Sequence, residues 1–230
     1  MLTSSGYAQN PYRRYDHLIG VKFGAGNPLV CWDQLAALGP SEADWHFGIL
    51  PYELQHRFEP SLPPCPAPSL PQPEVTFFRA DAVLIQRAGS PHWELWAEEP
   101  DALLEELLRT SLPTPQLQAQ ATFRPAFSEA NYLHTVQAIQ QHILQGDVYE
   151  LNLTVEYLAE HVQLSDPLAL WEALIARSPV PFGGFFRFRD RYLLGASPER
   201  FLQHTEGLLL AQPIKGTTAR QPQPAADQAA

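Results

Sequence analysis

Between Ser128 and Tyr157 the chain changes its hydrophobic period, and no single kind of secondary structure accommodates both halves of that stretch. Tyr132, Val136, Ile139 and Ile143 recur at helical spacing, behind a Ser128 suited to an N-cap and ahead of Gly146, suited to a C-terminal stop. From Val148 the period is two. Tyr149, Leu151, Leu153, Val155 and Tyr157 share one side, and Glu150, Asn152, Thr154 and Glu156 the other, which predicts a long half-buried strand. Helix and strand must therefore share one layered domain.

The remaining segments extend this pattern. Val75 to Ile85 is strand-like, with His92 to Ala97 as its hairpin partner across Ala88-Gly89-Ser90. Pro100-Asp101 opens a short helix with the stripe Leu103, Leu104, Leu107 and Leu108, and Asp166-Pro167 opens another carrying Leu168, Trp171 and Ile175. Strands are expected over Phe182 to Phe188 and Tyr192 to Ala196, flanking a turn at Asp190, and a hairpin over Phe201 to Leu210 around Gly207. Hairpins mixed with helices point to an α+β fold with largely antiparallel sheets, a doubly wound parallel sheet being the weaker option. The 23 prolines concentrate at Pro60 to Pro73 and Pro113 to Pro125, where missing N–H donors interrupt regular structure. The expected division is an N-terminal region 1–112, a proline-rich connector 113–126 and a second region 127–230. After Thr217 the chain turns to Ala, Gln and Pro without an apolar period, so it is expected to be truncated.

Composition bounds the partners. A net charge of -10 and a pI near 5.2 give no global positive field for phosphates, so nucleic acid is a poor expectation. Cys31 and Cys65 lack metal-type spacing and read as reduced thiols of a cytoplasmic protein. No apolar run approaches the length of a membrane span, and no signal-peptide pattern opens the chain.

Two positions could carry covalent or proton-transfer chemistry. Lys215, in Pro213-Ile214-Lys215-Gly216-Thr217, follows the apolar run Leu208 to Leu210, and a buried lysine kept neutral is a nucleophile. Glu199, in Ser197-Pro198-Glu199-Arg200-Phe201, could meet it in one cleft if strands 192–196 and 208–212 are neighbours. On local evidence alone, an exposed loop lysine and a surface glutamate paired with Arg200 are the commoner situations. The scattered histidines, His134 and His142 among them, form no metal-ligand pair, and the glycines at 24, 26, 183 and 184 lack the rest of a phosphate-binding fingerprint. The N-terminal cluster Tyr7, Tyr12, Arg13, Arg14 and Tyr15 could cradle a planar carboxylate ligand or simply dock the segment.

Taken together, four stretches resemble the chorismate-utilising enzymes of the anthranilate synthase component I family, and within it the aminodeoxychorismate synthase component I branch. They are Ser5-Gly6-Tyr7 with Pro11-Tyr12-x-Arg14-Tyr15-Asp16; Gly146-Asp147-Val148-Tyr149-Glu150-Leu151-Asn152-Leu153-Thr154; Ser197-Pro198-Glu199-Arg200-Phe201; and Pro213-Ile214-Lys215-Gly216-Thr217 with Arg220. The resemblance implies two large antiparallel sheets packed face to face with outer helices. It implies amination of chorismate to 4-amino-4-deoxychorismate, on the route to 4-aminobenzoate and folate, by ammonia from a partner glutamine amidotransferase. Lys215 would be the nucleophile, Glu199 the general acid/base, and Gly216 and Thr217 part of the substrate pocket. Ser5, Tyr12, Arg13, Arg14, Tyr15, Pro181, Phe182 and Gly183 would line a tryptophan pocket. Mg²⁺ is implied for the complete enzyme, but its glutamate ligands belong to a C-terminal half that this chain lacks, so no metal ligand is assigned here. An anthranilate synthase component I, or a non-catalytic fragment binding tryptophan or a glutaminase, are the competing readings.

Overall fold

The computed structural model describes residues 1–4, 12–24, 26, 28–38, 44–63, 73–111 and 117–214. It divides into two compact units, one within Met1–Pro113 and Trp171–Ala230, the other within Thr114–Leu170.

The first unit is built on a six-stranded, wholly antiparallel sheet. Its strands are β1 (Leu2–Thr3), β2 (Tyr15–Val21), β5 (Ala82–Arg87), β6 (Trp93–Ala97), β11 (Phe182–Phe188) and β12 (Arg191–Ser197), in the order β12-β11-β1-β2-β5-β6. The two-residue β1 stitches distant parts of the chain together, with Thr3 opposite Gly183 on one side and His17 on the other. A core of Leu18, Val83 and Ile85 lies at its centre.

Consecutive phenylalanines on β11 show how both faces of this sheet are covered, because neighbouring strand residues point to opposite sides. On one face, β3 (His46–Ile49) and β4 (Thr76–Arg79) form a ladder whose Phe78 meets Phe186 at 5.9 Å, while Phe47 lies against Gly20. On the other, Trp171 of α5 (Pro167–Arg177) meets Phe185 at 5.9 Å, and its indole N–H donates to the Gly195 carbonyl at 3.1 Å. Trp171 is among the most buried large side chains, so α5 is anchored by both packing and a satisfied polar tip. A separate hairpin, β13 (Arg200–Thr205) and β14 (Leu208–Gln212), turns through Glu206 and Gly207, both at positive φ (51° and 77°), as a two-residue type I′ turn requires. Two short helices, α1 (Trp32–Ala36) and α2 (Gln55–Phe58), and α3 (Pro100–Arg109) complete the unit.

The second unit holds α4 (Glu129–Gln145) and two short ladders, β7 (Ala119–Gln120) with β10 (Gln163–Leu164) and β8 (Arg124–Pro125) with β9 (Tyr157–Leu158). The Ser128 hydroxyl caps α4 by accepting from the Asn131 N–H, and Gly146 ends it at φ 82°.

The α+β class and the antiparallel sheet agree with the sequence reading, as do α3, α4, α5 and the hairpins at Gly89 and Gly207. Three local expectations are corrected. Val75 to Ile85 is two strands, broken at Ala80-Asp81, because Thr76–Arg79 pairs with β3 while Ala82–Arg87 joins the large sheet. Residues 148–156 are not a strand. Their alternation is real, but no segment among the described residues offers them a ladder, and pairing begins at Tyr157. Strand 192–196 is no neighbour of 208–212: β12 pairs with β11, and β14 pairs with β13.

Candidate functional site

Four chain segments converge at one end of the large sheet around a cavity of about 310 Å³. They are Leu2 to Ser4 at β1, Tyr12 to Tyr15 leading into β2, Pro181 to Gly183 at the start of β11, and Arg200 with Leu202 to Thr205 on β13. Backbone pairing fixes the first two against each other. The Ser4 N–H and the Thr3 hydroxyl both donate to the Asp16 carbonyl at 3.0 Å, and the Ser4 hydroxyl donates to the Tyr15 carbonyl. Gly183 admits β1 at close range: a Cβ there would stand 2.8 Å from Ile175 Cδ1 and 2.9 Å from Thr3 Cγ2. Only glycine fits without displacing one of them.

Three guanidinium groups border the cavity, each held differently. Arg13 pairs with Asp16 at 3.1 Å. Arg14 donates to Thr205 Oγ1 at 3.0 Å and lies over the Tyr15 ring at 5.6 Å. Arg200 donates through Nε to Gln212 Oε1 at 2.7 Å, through Nη1 to Gln203 Oε1 and through Nη2 to the Tyr12 carbonyl at 3.3 Å, with its Cζ over the Phe182 ring at 4.8 Å. Burial pushes the Arg200 pKa down from its ordinary value, and the group remains cationic all the same.

Of the residues expected from the sequence, Tyr12, Arg13, Arg14, Tyr15, Pro181, Phe182 and Gly183 are brought together in this cavity wall. Ser5, Lys215, Gly216 and Thr217 lie outside the described residues. Glu199 is exposed in the tight connection between β12 and β13, where its N–H donates to the Ser197 hydroxyl at 3.3 Å. It does not pair with Arg200, whose donors turn to neutral glutamine and carbonyl oxygens. Among the described residues, no group of three His, Cys, Asp or Glu side chains is placed to hold a metal ion. A larger concavity, about 1280 Å³, lies between β6 and α3, walled by Trp45, Trp96, Leu103 and Leu107, and includes none of the expected residues. No helix among the described residues is long and apolar enough to cross a membrane.

Comparison with known proteins gives the family. The model for the chorismate binding enzymes matches residues 3–230. The chain belongs to the chorismate-binding enzyme family. Among its relatives, anthranilate synthase component 1 of Pseudomonas aeruginosa is 31% identical, over 90% of the chain and 49% of that protein. Aminodeoxychorismate synthase component 1 of Salmonella typhimurium is 27% identical, over 99% of the chain and 56% of that protein. The chain thus spans about half the length of these relatives. The crystal structure of anthranilate synthase component I from Streptococcus pneumoniae shares its fold, with a TM-score of 0.64 at 19% identity over 74% of this chain and 43% of that one.

Sequence reasoning overlooked the cavity's fourth wall. Arg200 stood within a recognised motif but was read only as a partner for Glu199, and Gln203 and Thr205 were not singled out. The cause is a register shift between Arg200 and Gln203, which leaves Arg200, Gln203 and Thr205 half-buried where strict alternation would separate them. A bulge of this kind leaves no mark in a two-residue hydrophobic period.

Proposed function

We propose that this chain is the N-terminal part of an aminodeoxychorismate synthase component I, which aminates chorismate to 4-amino-4-deoxychorismate in 4-aminobenzoate synthesis. The reading rests on Lys215 within Pro213-Ile214-Lys215-Gly216-Thr217, in a chain of the chorismate-binding family. The geometry of the β13–β14 hairpin supports it. Arg200 and Gln212 are paired at the open end, so Glu199 precedes one strand of the pair and Lys215 follows the other by three residues. Both chemical motifs therefore leave the same end of one hairpin.

In this proposal the neutral Lys215 amine forms a bond to C2 of chorismate, the ring double bonds shift, and the C4–O bond breaks as Glu199 protonates the departing hydroxyl to water. Ammonia then forms a bond to C4, the electrons shift back, and the C2–Nζ bond breaks to release the lysine. Gly216 and Thr217 shape the substrate pocket. Ammonia comes from a glutamine amidotransferase partner, and the enzyme acts in the cytoplasm. Mg²⁺ is expected for the complete enzyme with ligands supplied from outside this chain, and no step above is routed through it. The 310 Å³ cavity is read as a tryptophan pocket lined by the seven residues named in its wall.

A second reading is supported by the 31% identity to anthranilate synthase component 1 over 90% of the chain. There ammonia would attack C2 directly and no lysine nucleophile would be needed. Product identification separates the two. A form extended to the length of the relatives, given chorismate, ammonia and Mg²⁺, should yield 4-amino-4-deoxychorismate; anthranilate as the product would replace the first reading with the second.

A further inference from the structure

Charge around the cavity is unbalanced. Asp16 compensates Arg13, but neither Arg14 nor Arg200 has a carboxylate partner among the described residues, in a chain whose net charge is -10. Arg200 is the deeper of the two, and its bonds to Gln212 and Gln203 are partly buried whereas that of Arg14 to Thr205 is exposed. Neutral acceptors satisfy donors without neutralising charge, and a partly desolvated guanidinium that cannot deprotonate gains most from an anion. Its three bonds use three of five N–H groups, leaving one on each terminal nitrogen, enough for a two-point carboxylate contact. The Phe182 ring beneath it restricts its movement. The rest of the wall, Leu2, Tyr12, Tyr15, Leu18 and Leu202, suits an apolar or aromatic body, and no uncommitted carboxylate among the described lining residues awaits an ammonium group.

We infer that Arg200 is the specificity-determining group of this cavity, binding the carboxylate of an aromatic acid, so that the ligand's carboxylate is required and its amino group is dispensable. The inference rests on the reading of the cavity as a tryptophan pocket and adds which end of the ligand is recognised, and by what.

Calorimetric titration of the full chain with L-tryptophan, indole-3-propionate and tryptamine tests it. L-Tryptophan and indole-3-propionate should bind within about tenfold of each other, and tryptamine roughly 10- to 100-fold more weakly, the range expected for a hydrogen-bonded charge. Arg200→Gln should remove that discrimination by weakening the two acids and leaving tryptamine unchanged, and Arg200→Lys should restore part of it. Arg14→Gln, which keeps the deeper cation, should preserve the ratio. Equal weakening of all three ligands in Arg200→Gln would reduce the residue to a structural role and overturn the inference. So would loss of discrimination in Arg14→Gln, or tryptamine binding as well as L-tryptophan in the unmodified chain. If Arg200→Gln does not fold, the unmodified chain and Arg14→Gln still decide. Binding of none of the three would overturn the tryptophan-pocket reading as well, whereas binding without discrimination would overturn only the role of Arg200.

Discussion

The Arg200 Nε–H donates to Gln212 Oε1 at 2.7 Å, and the two residues are also cross-strand partners in the β13–β14 register. One side-chain bond therefore closes the open end of the hairpin that joins the motif before β13 to the motif after β14. The same guanidinium reaches the Tyr12 carbonyl, so the hairpin is held to the cavity wall by the group that closes it.

Replacing Gln212 by leucine removes that acceptor and leaves a half-buried charged donor unmatched. A net hydrogen bond to a charged group contributes about 1.5 to 3 kcal/mol at most, and partial exposure lowers this, so a loss of about 1 kcal/mol is expected. Urea unfolding of the full chain would show it as a lower midpoint at unchanged slope. No change in midpoint would mean that Arg200 finds water as readily as Gln212.

Gly183 allows β1 and α5 to approach β11 together. In Gly183→Ala the new Cβ would sit 2.8 Å from Ile175 Cδ1 and 2.9 Å from Thr3 Cγ2. The end of Ile175 can rotate away, but Thr3 is buried and fixed by its bond to the Asp16 carbonyl. Overpacking of this kind costs about 1 to 3 kcal/mol, and Gly183→Val should cost more than Gly183→Ala. Thermal unfolding of both variants checks the order, and equal midpoints for the two would count against the close approach.

Much of this architecture was legible in the sequence because local signals and tertiary demands coincide. Ser128 and Gly146 bound α4 as their chemistry predicts, and Glu206-Gly207 forms the turn that a two-residue connection requires. The stretches Tyr12 to Tyr15 and Pro181 to Gly183 were joined in one site only by the family resemblance, since residue types left the first open and did not single out the second; both line one cavity. What could not be read was pairing. Residues 148–156 alternate as a strand should, yet a strand exists only where another offers its N–H and C=O groups. Thr76–Arg79 and Ala82–Arg87 read as one run although they serve two different ladders. The role of Arg200 was hidden by the bulge after it, since burial there follows from register and not from composition.

His17 makes stability depend on pH. Its ring stacks on Trp93 at 5.5 Å, its Nδ1 is buried without a hydrogen-bond partner among the described residues, and burial lowers its pKa from 6.5, with Asp16 opposing. The folded state therefore favours the neutral ring. Between the lowered folded value and 6.5, the unfolded chain carries more protons than the folded one, so stability rises with pH across that window. This contribution to instability is absent well above 6.5 and fully present below the folded value. His17→Phe keeps the stacking and removes the titration. Its melting temperature should therefore vary less than that of the unmodified chain between about pH 5 and about pH 8, the range in which histidine titrates. A profile equally steep in both would exclude His17 as the source.

The chemistry proposed for Lys215 and Glu199 makes distinct demands on substitution. The 230-residue chain alone should form no aminodeoxychorismate, even with ammonia supplied directly, because in the proposed reading the ligands of Mg²⁺ are supplied from outside it. In the form extended to the length of the relatives, Glu199→Gln keeps the size of the side chain but cannot pass a proton to the departing hydroxyl. Loss of a general acid slows turnover by roughly 10²- to 10⁴-fold, and the effect should fall on kcat more than on KM. Lys215→Ala removes the atom that bonds to C2. Formation of 4-amino-4-deoxychorismate should cease, while chorismate binding, measured calorimetrically, persists. Retention of 4-amino-4-deoxychorismate synthesis in Lys215→Ala would show that ammonia reaches C4 without a covalent intermediate, and the lysine would then have to act by charge alone.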